Sequence, residues 1–207
     1  MTQLGRESGM KKLMMINLLK RLESSVAAFR YTLIDVVKSY VDETLKAIST
    51  YEQTGLDALS GVPVLNEDDF DIEDSNLDVF IGKKNRIALK DMDYRSWKLE
   101  LEKDQAILLE LEEMIDQITP AEDKKLQTLY RLIDEKMTHP INEGNKKLII
   151  FSAFATTINY LYKHISKYVL DKYGLHTAQI SGTKGFETTL KTNHRDLNSL
   201  LTYFSPQ

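Results

Sequence analysis

Between about Leu13 and Ile48, apolar side chains fall at Met15, Leu19, Leu22, Val26, Phe29, Leu33, Val36 and Tyr40. The steps alternate between four and three residues. That spacing predicts one long helix with a heptad seam, a face that wants a partner helix along its length. No proline or glycine interrupts it, and Thr54-Gly55 is the expected stop. A second long helix is predicted from about Asp93 to Ile118, with Trp97, Leu101, Leu108, Leu111, Ile115 and Ile118 on one face. Asp104 intrudes on that face; it either bonds a partner in the bundle or the helix rolls to expose it. Thr119-Pro120 ends this helix and is expected to start the next, with Thr119 as cap and Glu122 and Asp123 in the first turn. The third helix buries Leu126, Leu129, Ile133 and Met137 and stops near His139-Pro140.

Past the linker Asn142–Asn145 the pattern changes. Leu148-Ile149-Ile150-Phe151 is a short apolar run, Ser152 follows, and a helical pattern then runs from about Ala153 to Tyr173. The run reads as a buried strand entering a helix. Tyr173 to Gly182 reads as a second strand ending at a Ser-Gly turn, and a last helix is expected from about Phe186 to Phe204. Strand, helix and strand at this spacing predict one parallel β-α-β unit. The expected fold class is therefore mainly α with a small α/β part. A long-helix bundle fills residues 1–140, with an acidic loop at 61–84, and the parallel β-α-β unit fills residues 141–207. Two parallel strands leave their edges unpaired, so self-association of the chain is a further expectation.

Composition narrows the chemistry. The chain has 207 residues and 42% hydrophobic positions, enough for a packed core. It has no cysteine, which removes disulfides, thiolate metal sites and cysteine nucleophiles together and fits a cytoplasmic location. No apolar run is long enough for a membrane helix. Charge is uneven: residues 66–144 carry 11 Lys/Arg against 21 Asp/Glu, and residues 145–207 carry 8 against 3. A basic face attracts phosphate, although a solvated surface explains such charge equally well. Glu67, Asp68, Asp69, Asp71, Glu73, Asp74 and Asp78 lack the ligand alternation, glycine and distal glutamate of a calcium loop.

Candidate sites are few. His139, His164, His176 and His194 are not paired at metal-ligand spacing. Gly182-Thr183-Lys184-Gly185 lacks the full phosphate-loop pattern; it is a turn after a strand or a backbone contact to phosphate. Ser152 stands at a strand end ahead of a helix, with Thr156 and Thr157 in that helix's first turn. Such places attract phosphate, while capping of the helix by Ser152 is the simpler role. No base is placed to activate the serine, and no catalytic residue is assigned. Lys20, Arg21 and Arg30 belong to the polar side of the first helix.

Several segments together resemble bacterial Swi/Snf-like ATPases of helicase superfamily two. Leu18-Leu19-Lys20-Arg21-Leu22-Glu23-Ser24-Ser25, with Ala28-Phe29, resembles the L-L-K-R-L-E-S-S…A-F signature that follows the first RecA-like lobe. Asp123-Lys124-Lys125-Leu126 followed by Leu129 resembles the D-x-K-L-x-x-L stretch ahead of the second lobe. Lys147 to Phe154, with Phe151 and Phe154, resembles the motif IV strand, and Thr157, Tyr160 and Leu161 match the helix after it. Ile180-Ser181-Gly182 is similar to the next strand and turn, and Leu200 to Pro206 to the segment before motif V. The phosphate-binding loop, the D-E-x-H acid motif and motifs V and VI have no counterpart, so the resemblance implies a fragment of a DNA translocase, ending in an incomplete RecA-like lobe.

It further implies a parent that hydrolyses ATP with magnesium and moves along DNA, and a chain that alone holds no cofactor and is inactive. Ser152, Thr156, Ser181, Gly182 and Thr183 would face the DNA backbone. The alternative is a stand-alone helical protein-protein interaction domain whose seam binds a partner helix.

Overall fold

In the computed structural model, which describes residues 3–62, 87–182, 185–191 and 197–205, Ser25 breaks the long N-terminal helix. Helix α1 (Gln3–Ser24) ends before it and α2 (Val26–Arg30) begins after it. Ser25 has an extended backbone, and its Oγ accepts the N–H of Ala28 at 3.0 Å. A serine hydroxyl competes with the helical ladder for nearby donors, so a break needs neither glycine nor proline. Tyr31–Lys38 then winds as a π-helix, a wider turn that changes which side chains share a face. Helix α3 (Ser39–Thr54) closes on Gly55 at φ 72°, as the expected stop requires.

These departures roll the seam. Leu33 and Val36 are buried as expected, but beyond them the buried row runs Val41, Leu45 and Ile48 rather than through Tyr40. Toward the N-terminus Met15, Leu19 and Leu22 are exposed, while Asn17, Arg21 and Ser25 are buried.

Helix α4 (Tyr94–Asp116) starts at Asp93, whose carboxylate accepts the N–H of Ser96. It lies antiparallel to residues 30–52. Arg30 meets Asp116, Lys38 meets Glu112, Gln105 meets Asp42, and Lys98 meets Glu52. Leu33, Ile34, Val41, Leu45 and Ile48 pack with Leu89, Leu101, Leu108 and Ile115 between them. Asp104 takes the second of its two outcomes: it is exposed. Gln105 holds the seam position, donating to Asp42 at 2.6 Å.

This unit comprises residues 1–117, and residues 118–207 form another. The acidic stretch 67–78 lies outside the described residues. The second unit contains the third predicted helix, α5 (Lys124–Thr138), together with α6 (Ala155–Tyr173), strands β1 (Ala178–Ser181) and β2 (Gly185–Thr188), and α7 (Leu197–Phe204). Leu126, Ile133 and Met137 of α5 pack on Ile165 and Val169 of α6. Asp123, not Thr119, caps α5. Thr119 donates both its N–H and its hydroxyl to the Glu122 carboxylate, at 2.9 Å each, but only a turn results.

The fold is mainly α with a small α/β part, but the expected parallel β-α-β unit is not formed. The two strands are an antiparallel hairpin pairing Ala178 with Thr188 and Ser181 with Gly185. Gly185, at φ 73°, closes the connection on a residue that tolerates the left-handed region. Phe186 to Thr188 is therefore strand, not the start of the last helix. A hairpin closes a loop of a few residues, whereas the crossover must close one of about thirty and orders more chain first. Residues 145–152 run without helix, turn or bend, and among the described residues no strand pairs with them. Their apolar run is not a buried strand: Phe151 is 89% exposed.

Candidate functional site

The second unit brings together two of the sequence signatures. Asp123 is buried and divides its carboxylate between two tasks. Oδ1 accepts the N–H groups of Lys125 and Leu126, both at 3.0 Å, and Oδ2 accepts the Tyr160 hydroxyl at 2.9 Å. The first task satisfies the free N–H groups at the start of α5. The second ties that start to α6. Burial, with the Asp123 carboxylate beside it, raises the pKa of the Tyr160 phenol. Leu126 and Leu129 share one cluster with Tyr160 and Leu161. The Asp123–Leu129 stretch and the helix after the Lys147–Phe154 segment are thus two sides of one core.

The start of α6 is built from the signature that precedes it. Ser152 does not cap the helix. Its Oγ accepts the N–H of Phe154 at 3.2 Å, and Phe154 is the cap residue, with no side-chain bond of its own at the helix N-terminus. Phe154 is buried, so it anchors the turn. Thr156 is half-buried in the first helical turn, and Thr157 is buried. Ser181 is the last residue of β1, Gly182 stands in the turn after it, and Thr183 lies outside the described residues. Ser152 and Ser181 therefore do not end two adjacent parallel strands, the arrangement that would aim both at one phosphate backbone. The exposed cations Lys146, Lys163, Lys167 and Lys191 belong to the same unit.

In the first unit, the L-K-R-L-E-S-S residues fall at the helix break. Lys20 and Glu23 are exposed, Ser24 is half-buried, and Arg21 and Ser25 are buried. Arg30 is held by Asp116 at 2.9 Å, with Asp35 and Glu112 also near; these acids raise its pKa. The Arg30 ion pairs tie the π-helical segment to α4.

Three histidines are described. His139 Nδ1 lies 3.0 Å from the Thr138 hydroxyl, and His176 Nδ1 lies 3.3 Å from the Thr189 hydroxyl. His164 stacks edge-on to Tyr160, and burial lowers its pKa. His194 lies outside the described residues. Among the described residues no three His, Asp or Glu side chains group as metal ligands would.

One cluster was not anticipated. Asp134 of α5 accepts hydrogen bonds from Tyr168 at 2.5 Å, Tyr173 at 2.7 Å and Lys172 at 2.8 Å, all on α6. The Lys172 ammonium also lies over both tyrosine rings, at 5.0 and 5.4 Å. Lys172 and the two phenols hold the Asp134 carboxyl at about 2. The available signal was two pairs at i, i+4, Tyr130 with Asp134 and Tyr168 with Lys172, on consecutive helices.

No described helix is long and apolar enough to cross a membrane. No family model, no curated protein and no solved structure matches the chain.

Proposed function

We propose that this chain is the helical and motif IV-bearing part of an ATP-dependent DNA translocase of the Swi/Snf-like kind. In this reading it positions the motor's working parts and touches the DNA backbone, and it does not hydrolyse ATP by itself. The observation that carries it is the contact between the two signature segments. Asp123 of the D-x-K-L-x-x-L stretch and Tyr160 of the helix that resembles the one after the motif IV strand stand 37 residues apart and are bonded to each other. Chance resemblance in two segments does not call for that bond. The hairpin at 178–188 is not the crossover this reading expects. The reading therefore rests on residues 123–161 and not on the Ile180-Ser181-Gly182 match.

Phosphoryl transfer requires a lysine, a magnesium site and an arginine finger in one cleft. The motifs that supply ATP and magnesium sites in such motors have no counterpart in this sequence. DNA contact would come from the basic second unit through phosphate oxygens, which position without reading sequence. The test is fluorescence anisotropy of labelled duplex DNA with this chain. Weak binding that salt abolishes, equal on unrelated sequences, supports the reading; no binding at low salt overturns it.

A second reading, a helical module that binds a partner protein, is favoured by one observation. Met15, Leu19 and Leu22 of the predicted seam are 57%, 53% and 45% exposed. Loss of the DNA interaction in the anisotropy test would leave this reading in its place.

A further inference from the structure

We propose that Lys147–Phe151 pairs as an antiparallel β-strand with the same segment of a second copy of this chain. The inference does not depend on the motor reading. Leu148, Ile149, Ile150 and Phe151 are 42%, 57%, 43% and 89% exposed, four consecutive apolar residues open on alternate faces. Among the described residues, their peptide groups make no hydrogen bond. The run is nevertheless held at both ends. The Asn145 side chain accepts the Lys147 N–H at 3.0 Å, and Lys147 Nζ donates to the Ser205 carbonyl at 2.8 Å. Beyond the run, Ser152 Oγ accepts the N–H of Phe154. An unpaired, apolar stretch anchored at both ends loses little further freedom when it pairs.

A row of free N–H and C=O groups is satisfied by another strand. The segment is complementary to itself in one direction. About an axis through Ile149, antiparallel pairing sets Ile149 opposite its own copy and Leu148 opposite Ile150. Both are favourable cross-strand pairs. The same register sets Lys147 opposite Phe151 and Lys146 opposite Ser152, so no lysine faces a lysine. Parallel pairing in register would place each lysine against its own copy, which is destabilising. Charge thus selects the antiparallel second copy. The ladder is short, so the dimer is weak and depends on concentration.

Sedimentation equilibrium over a rising concentration series tests the proposal. The expected result is a monomer–dimer equilibrium in the native chain and a monomer for Ile149→Pro, with the helical circular dichroism unchanged. The chain has no cysteine, so Lys146→Cys can carry a single spin label. In the antiparallel register the two labelled backbones stand six residues apart along the strand, roughly 20 Å. In the parallel register they stand about 5 Å apart. A monomer at every concentration, a larger polymer, a dimer that survives Ile149→Pro, or the short label distance overturns the proposal.

Discussion

Asp123 serves two helices with one carboxylate. Replacing it with alanine removes the cap of α5 and leaves the half-buried Tyr160 hydroxyl without its acceptor. A lost cap costs about 1 kcal/mol and a stranded buried hydroxyl about 1–3 kcal/mol. Asp123→Ala is therefore expected to cost about 2–4 kcal/mol in urea unfolding, and Tyr160→Phe, which keeps the cap but leaves Asp123 Oδ2 without its donor, about 1–2 kcal/mol. Equal effects of the two would contradict the double role. Asp134 gives a pH signature. Its carboxyl lies at about 2 in the fold against an ordinary 3.8, chiefly because Lys172, then Tyr168 and Tyr173, stabilise the anion. A lowered value means stability present above the ordinary value and lost as pH falls from 3.8 toward about 2. The side chain is partly exposed, so the slope is small. Urea midpoints measured across that window should fall less steeply for Tyr168→Phe/Tyr173→Phe than for the native chain. Neither residue's role was visible in its own segment, because each depends on a partner helix that periodicity alone does not place. Ser152, expected at the end of a parallel strand or as the cap of the next helix, is neither; it bonds the N–H of Phe154, the cap residue.

At the scale of elements, the sequence pattern located the helices that end on strong local signals. Gly55 and Gly174 both stop a helix in the left-handed region, at φ 72° and 63°. No atom lies within 4 Å of a Cβ added at Gly174, so Gly174→Ala tests backbone conformation alone. It is expected to cost about 1–2 kcal/mol in thermal or urea unfolding. A neutral result would mean the turn relaxes. Where the pattern failed, a local competitor was at work. Ser25 captures the Ala28 N–H and breaks a helix whose heptad spacing is unbroken. The π-helical turn at Tyr31–Lys38 then moves the buried row, which a fixed period of 3.5 cannot anticipate. Residues 178–188 follow the nearest available pairing, a hairpin, and the apolar run 148–151 is left without a neighbour among the described residues. Alternation in Phe186 to Thr188, after a glycine, was the signal for the second strand.

At the scale of the molecule, charge is unevenly distributed and two resembling segments meet in one core. Residues 145–207 carry 8 Lys/Arg against 3 Asp/Glu, an excess of five positive charges, while residues 66–144 carry an excess of ten negative ones. DNA contact is accordingly expected from the C-terminal part. The chain alone is expected to show no ATP hydrolysis with or without DNA, measured as phosphate release; DNA-stimulated turnover would contradict the account. The most direct test of the central claim is the salt dependence of duplex DNA binding, followed by anisotropy from low to physiological ionic strength. The account predicts weak, sequence-independent binding that falls steeply as salt rises. Absence of binding at low salt, or binding indifferent to salt, would contradict it.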